Sequence, residues 1–115
     1  MSRFKLINDY ETRRKLYEKI HTAYPDRYPV IVDRKHFQDP DIDKHKFLVP
    51  NTTTMAFVIN QVRSRMASHS STDTTLFFVN NTLVRVIDLI DNVYEKYHDE
   101  DGFLYLTYTS APTFG

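Results

Sequence analysis

The run Asp39-Pro40-Asp41-Ile42-Asp43 holds three carboxylates at alternate positions, the way a calcium loop begins. Such a loop needs glycine at its sixth position for a sharp turn and glutamate at its twelfth as a bidentate ligand. Lys44 and Pro50 stand there instead, so calcium chelation is not expected. His21, His36, His45, His69 and His98 fall in no ligand spacing and read as surface residues. There is no cysteine, hence no disulfide, thiolate metal site or cysteine nucleophile. The only glycines are Gly102 and Gly115, which leaves no glycine-rich phosphate cradle and no Gly-x-Ser-x-Gly elbow. No metal or cofactor is expected, and no enzymatic activity. What remains unexplained is the end of the chain: Ser110, Ala111, Pro112 and Thr113 lead to Phe114 and a glycine carboxylate at Gly115.

The bulk properties narrow the classes further. A chain of 115 residues with 41% hydrophobic and 14% aromatic content suits one globular domain with a real core. Arg3, Lys5, Asp9 and Glu11 interrupt the opening residues, so no secretory leader is expected, and no apolar run reaches membrane-spanning length. The cytoplasm is the expected compartment. Net charge is zero but unevenly spread. Up to residue 36, nine basic residues face five acidic ones, while Asp88, Asp91, Glu95, Asp99, Glu100 and Asp101 form a late acidic patch. A basic front suits acidic peptides or anionic surfaces, but charge alone favours a solvated helix face that complements an acidic one elsewhere. Tyr28, Phe47, Tyr105 and Tyr108 could imitate an RNA-stacking platform, but a neutral chain argues against nucleic acid.

These residues must be positioned by short elements. Phe4 and Ile7 fit one helical turn. Asn8 with Glu11 has capping-box spacing for a second helix, whose apolar positions are Tyr10, Tyr17, Ile20 and Tyr24 and which Pro25 ends. Residues 28–34 read as a strand with Tyr28, Val30 and Val32 on one face and Pro29, Ile31 and Asp33 on the other. Lys46–Pro50 is a second short strand. Thr54 can cap a helix with apolar positions Met55, Val58, Ile59, Val62 and Met66. Residues 68–74 form a loop, then 76–79 a buried strand turned by Asn80-Asn81. Val86, Leu89, Ile90, Val93 and Tyr97 mark a further helix, and Gly102 turns into a last strand from Phe103 to Thr109. The order predicts an α+β fold: a ubiquitin-like β-grasp with a four-stranded mixed sheet, two helices in the grasp unit and two more before it. The expected organisation is a helical extension at 1–25, a core at 26–109 and a flexible tail at 110–115.

The blocks "YPDRYPVIVDR", "DKHKFLVP", "LFFVNNT", "YEKYHDEDGFLYLTY" and the terminal "FG" resemble, in order and spacing, the GABARAP-type ubiquitin-like modifiers of autophagy, the autophagy-related protein eight family. The likeness spans about Arg13 to Gly115. It implies that a cysteine protease trims the nascent chain, that activating and conjugating enzymes carry the exposed glycine, and that Gly115 is joined to phosphatidylethanolamine. A residue without Cβ threads a narrow channel and leaves its carbonyl open to a thiolate. The resemblance implies autophagosomal membrane, then vacuole or lysosome, as the location after lipidation. It also implies docking of cargo receptors and adaptors through short linear motifs, an aromatic residue followed three positions later by an aliphatic one, added as a strand to the second strand. Lys46 and Leu48 match the backbone partners. Ile20, Pro29, Ile31, Lys46, Leu48 and Phe103 match the aromatic pocket, and Arg27 and Lys44 the basic flank. Phe47, Val49, Pro50 and Val58 match the aliphatic pocket. From the strand pattern alone, Ile31 reads equally as core.

The chain departs from the family pattern after "LVP". Thr53, Val58 and Gln61 replace larger apolar wall residues, so the second pocket is expected to be shallower or reshaped, and Val58→Phe to tighten binding of ordinary motifs. Val84 and Arg85 replace paired prolines, and Leu16 an acidic pocket-edge residue. Two other outcomes stay open: conjugation to a protein lysine, as in autophagy-related protein twelve, and an unconjugated peptide-binding scaffold.

Overall fold

The computed structural model describes residues 2–66 and 73–112, with backbone only at 73, 111 and 112. Thr113, Phe114 and Gly115 lie outside the described residues, as does most of the expected loop at 68–74. Two helices open the chain, α1 (Arg3–Ile7) and α2 (Tyr10–Ala23). Strands β1 (Arg27–Arg34) and β2 (Lys46–Pro50) precede α3 (Met55–Arg63). Then follow β3 (Asp73–Val79), β4 (Thr82–Val84), α4 (Ile90–Tyr97) and β5 (Leu104–Pro112). The sheet order is β2-β1-β5-β3-β4, with β1 and β5 parallel and the other pairs antiparallel.

The sheet therefore has five strands, not the four expected. Asn80 and Asn81 both take left-handed backbone, φ 49° and 63°, as a two-residue hairpin requires. That turn sends the chain straight back along β3, pairing Val79 with Thr82 and Phe77 with Val84. The following helix accordingly starts at Ile90 and not near Val86. Val86, Ile87 and Leu89 are exposed, and the carbonyls of Val86 and Asp88 accept from Ala56 and Met55 N–H at the start of α3. β5 also runs to Pro112, because its pairing with β3 continues to Asp73. The sheet thus holds residues expected in a flexible tail.

Each sheet face follows from strand alternation. Val30, Val32, Leu104, Leu106, Tyr108 and Phe77 point into the main core with Met55, Val58 and Val62 of α3. The opposite face carries Ile31 and Phe103, both buried but outside that core. The amino-terminal helices cover it. Phe4 stacks obliquely on Phe103 at 4.9 Å between ring centres, and Tyr17 meets Phe103 edge-on at 6.3 Å. Gly102, at φ 96°, lies where the Tyr17 ring fills the space a Cβ would need. The cap of α2 is Asp9, whose carboxylate accepts from Thr12 N–H at 2.9 Å. Asn8, expected in that role, instead closes α1 by donating to the Phe4 carbonyl.

Polar clips fasten the helices. Asp101 has no exposed surface. It accepts from Arg13 Nε at 2.8 Å, from the Tyr105 hydroxyl at 2.5 Å and from Phe103 N–H at 2.8 Å. The bond to Asp101 raises the Arg13 pKa, and burial together with Asp101 drives the Tyr105 phenol up. Lys5 meets Asp99 at 2.7 Å. Burial alone would raise the Asp99 carboxyl, but Lys5 and the Asp101 amide outweigh it and hold the pKa below the ordinary value. Arg13→Ala strands a buried carboxylate. We expect a loss of about 3 kcal/mol, read as a lower urea midpoint at unchanged m value; a loss below about 0.5 kcal/mol, typical of surface positions, would show that the pair is dispensable.

Candidate functional site: the free edge of the second strand

β2 forms one margin of the sheet. Val32 N–H donates to the His45 carbonyl at 2.8 Å, which makes that couple a hydrogen-bonded pair. Bonded and non-bonded pairs alternate along an antiparallel ladder. Val30 with Phe47 and Tyr28 with Val49 therefore bond across, whereas Ile31 with Lys46 and Pro29 with Leu48 do not. The N–H and C=O of Lys46 and Leu48 consequently point outward, away from β1. Pro29 fits an interior strand because its missing donor falls on the other side, where pairing with β5 begins only at Val30.

Above this margin lie two adjoining hollows. One, of about 480 Å³, is lined by Ile20, Arg27, Lys44, Lys46 and Leu48. The other, of about 200 Å³, is lined by Arg3, Phe4, Ile7, Ile31, Asp33, His45 and Lys46. Lys46 borders both. Arg27 lies over the Tyr24 ring and Lys44 over the Phe47 ring, at 5.4 Å and 5.2 Å from the centroids. Among the described residues the ion pairs leave Arg27, Lys44 and Lys46 without a carboxylate. A mouth with three such cations favours an acidic visitor.

Ile20, Arg27, Lys44, Lys46 and Leu48 thus come together as a group, with Ile31 in the neighbouring hollow. Pro29 and Phe103 are buried beneath. Phe47, Val49 and Val58 are placed differently from the expected second pocket: all three belong to the main core, with exposures of 4%, 0% and 1%. Their alternation faces them away from the hollows. Pro50, half-buried, pairs with Arg27 at the strand end.

Sequence reasoning did not assign Arg3, Phe4, Ile7, Asp33 and His45 to the site. The one local hint was the spacing of Phe4 and Ile7. His45 Nδ1 lies 2.9 Å from the Val32 carbonyl and so donates to it, and the ring sits 3.5 Å from Asp33 and 3.8 Å from Asp41. Asp39, a candidate cation ligand by spacing, is a loop brace. Burial works against its charge, yet the Ser110 and His36 amides and the Thr109 hydroxyl prevail and lower its pKa.

A mixed sheet with parallel β1 and β5 at its centre, crossed by α3 and preceded by two packed helices, defines a ubiquitin-like β-grasp protein with an amino-terminal helical extension. Comparison with known proteins narrows the class. The family model described as "Autophagy protein Atg8 ubiquitin like" matches residues 12–115, and the chain belongs to that family. Autophagy-related protein 8 of Dictyostelium discoideum is 43% identical over 116 residues, spanning 100% of this chain and 95% of that protein. Autophagy-related protein 8D of Oryza sativa subsp. japonica is 46% identical over 115 residues, spanning 97% and 96%. Among solved structures, Trypanosoma brucei ATG8 superposes with a TM-score of 0.89 at 30% identity, covering 100% of this chain and 99% of that one. Plasmodium falciparum Atg8, in complex with a Plasmodium falciparum Atg3 peptide, gives 0.80 at 32% identity, covering 96% and 100%.

The burial of Val58 reverses the expectation attached to it. A phenylalanine there overfills the core beside Met55 and Val62. Val58→Phe should cost about 1–3 kcal/mol in chemical denaturation and leave peptide affinity no tighter; tighter binding at unchanged stability would place the side chain on the pocket wall after all.

Proposed function

We propose that the chain is a conjugated autophagy modifier that docks acidic linear motifs along β2. The observation that carries the docking half is the outward-facing backbone of Lys46 and Leu48 beside a cationic, partly apolar hollow. An extended peptide can add there as a sixth strand, with backbone bonds supplying affinity and the hollows selecting side chains. An aromatic side chain suits the space between Ile20, Lys46 and Leu48. Acidic residues beside it meet Arg27 and Lys44. The Plasmodium relative's complex with a peptide supports the same capacity in this chain.

Family membership supports the conjugation half. The carboxylate of Gly115 is activated, carried as a thioester and transferred to the amine of phosphatidylethanolamine, forming an amide and releasing the enzyme thiol. The processing cysteine protease, the activating enzyme and the conjugating enzyme supply every reactive group. No helix among the described residues is long and apolar enough to cross a membrane. Two acyl chains, at about 0.8 kcal/mol per buried CH₂, would then hold the protein on autophagosomal membranes where cargo receptors and adaptors gather.

Incubation of the full chain with cognate activating and conjugating enzymes, ATP and phosphatidylethanolamine liposomes tests this. A lipidated product should form and should vanish with Gly115→Ala, or with ATP withheld. Mass spectrometry showing a lysine isopeptide in place of the lipid would favour the protein-modifier alternative. No adduct of either kind, from enzymes active on another family member, would leave a peptide-binding scaffold.

A further inference from the structure

Because β1 and β5 run parallel, the loop leaving β1 and the chain leaving β5 emerge at the same end of the sheet. That loop is strapped to β5. Lys35 N–H donates to the Tyr108 carbonyl at 2.7 Å, and the Tyr108 hydroxyl donates to the Pro40 carbonyl. Asp39 accepts from Ser110 N–H at 3.0 Å and from the Thr109 hydroxyl at 2.8 Å. On this braced loop Phe37 is 84% exposed, more than any other large apolar side chain among the described residues.

The ring is held out by specific contacts. Arg34 Nη1 donates to the Phe37 carbonyl at 3.0 Å, and the guanidinium carbon lies 4.6 Å from the ring centroid. Lys35 and His36 lie between them in sequence, with the Lys35 ammonium 4.1 Å from the centroid of the Phe78 ring on β3. Of the carboxylates near these basic residues, Asp41 keeps about half of its side chain exposed. Asp39 is buried against β5, and Asp33 and Asp41 lie beside His45. An exposed aromatic ring with a guanidinium on its face and a lysine next to it in the loop matches a bilayer interface: the ring enters the headgroup–acyl boundary and the basic side chains meet anionic lipid.

Chain length makes that contact reachable. Gly115 lies three residues beyond Pro112, a span of at most about 11 Å when extended. We propose that Arg34, Lys35, His36 and Phe37 form a membrane-contact tip that selects anionic bilayers once the carboxyl end is anchored. The proposal rests on the lipid-anchoring reading above and assigns the loop a role separate from the peptide edge.

The sequence offers a clean test, since it contains neither tryptophan nor cysteine. Phe37→Trp supplies a single fluorophore, and Gly115→Cys a single coupling point for maleimide-phosphatidylethanolamine vesicles. Chemical coupling bypasses the enzymes, so the result stands even if enzymatic lipidation fails. On vesicles containing phosphatidylserine the indole emission should shift to the blue and be quenched by brominated acyl chains. Lys35→Gln should lower the ratio of docked to undocked protein about five-fold, the worth of one basic residue near such a surface. A Phe57→Trp reporter, on α3, should respond to neither vesicle. Unchanged emission from the Phe37→Trp protein on anionic vesicles would overturn the proposal. So would equal quenching on pure phosphatidylcholine, or equal quenching of the Phe57→Trp reporter.

Discussion

A carboxylate with no exposed surface, Asp101, fixes the geometry on which the site depends. It sits in the turn before β5 and reaches back 88 residues to Arg13 on α2. A buried charge tolerates that position only because three donors face it, two from side chains and one from the backbone. The pair and the Tyr17 ring over Gly102 set α2 against the sheet. Ile20 and Arg27, carried by α2 and the start of β1, then stand opposite Lys46 and Leu48. Without that anchorage the grasp unit would keep its core, and the hollows would lose one wall.

The sheet has two margins, and they differ in chemistry. β4 is three residues long, which gives little backbone for a guest to pair with. β2 is longer, opens on Lys46 and has Lys44 two residues before it. Lysines on an edge repel a second copy of the same edge, a common guard against aggregation. The same charges attract an acidic strand, so one feature both discourages self-pairing and favours a chosen guest. The apolar hollows add selectivity that charge alone would not supply.

Much of this was legible locally. The alternation of Val30 and Val32 against Ile31 predicted which face each joins, and α3 buries Met55, Val58, Ile59 and Val62, the helical positions picked out by spacing. Other features had no local signal. The Arg13–Asp101 pair joins distant segments, and charge composition marked only a basic front and a late acidic patch. β4 is too short to show a period. Val86 and Leu89 carry apolar periodicity without burial, which displaced the expected start of α4. Family likeness grouped Phe47, Val49 and Val58 with a pocket, whereas strand parity and helix phase turn their side chains inward. Parity is a backbone property, and it separates the outward Lys46 and Leu48 from their inward neighbours more surely than residue type does.

The central claim is that the outer backbone of β2 receives a guest strand. Amide hydrogen exchange by NMR, with and without a peptide carrying an aromatic residue, an aliphatic residue three positions on and an acidic flank, tests it most directly. In the free protein the Lys46 and Leu48 amides should exchange fast while Phe47 and Val49 stay protected, and the peptide should slow Lys46 and Leu48 selectively. Slowing confined to Thr82–Val84 on the opposite margin, or peptide binding that leaves Lys46 and Leu48 exchanging freely, would contradict it.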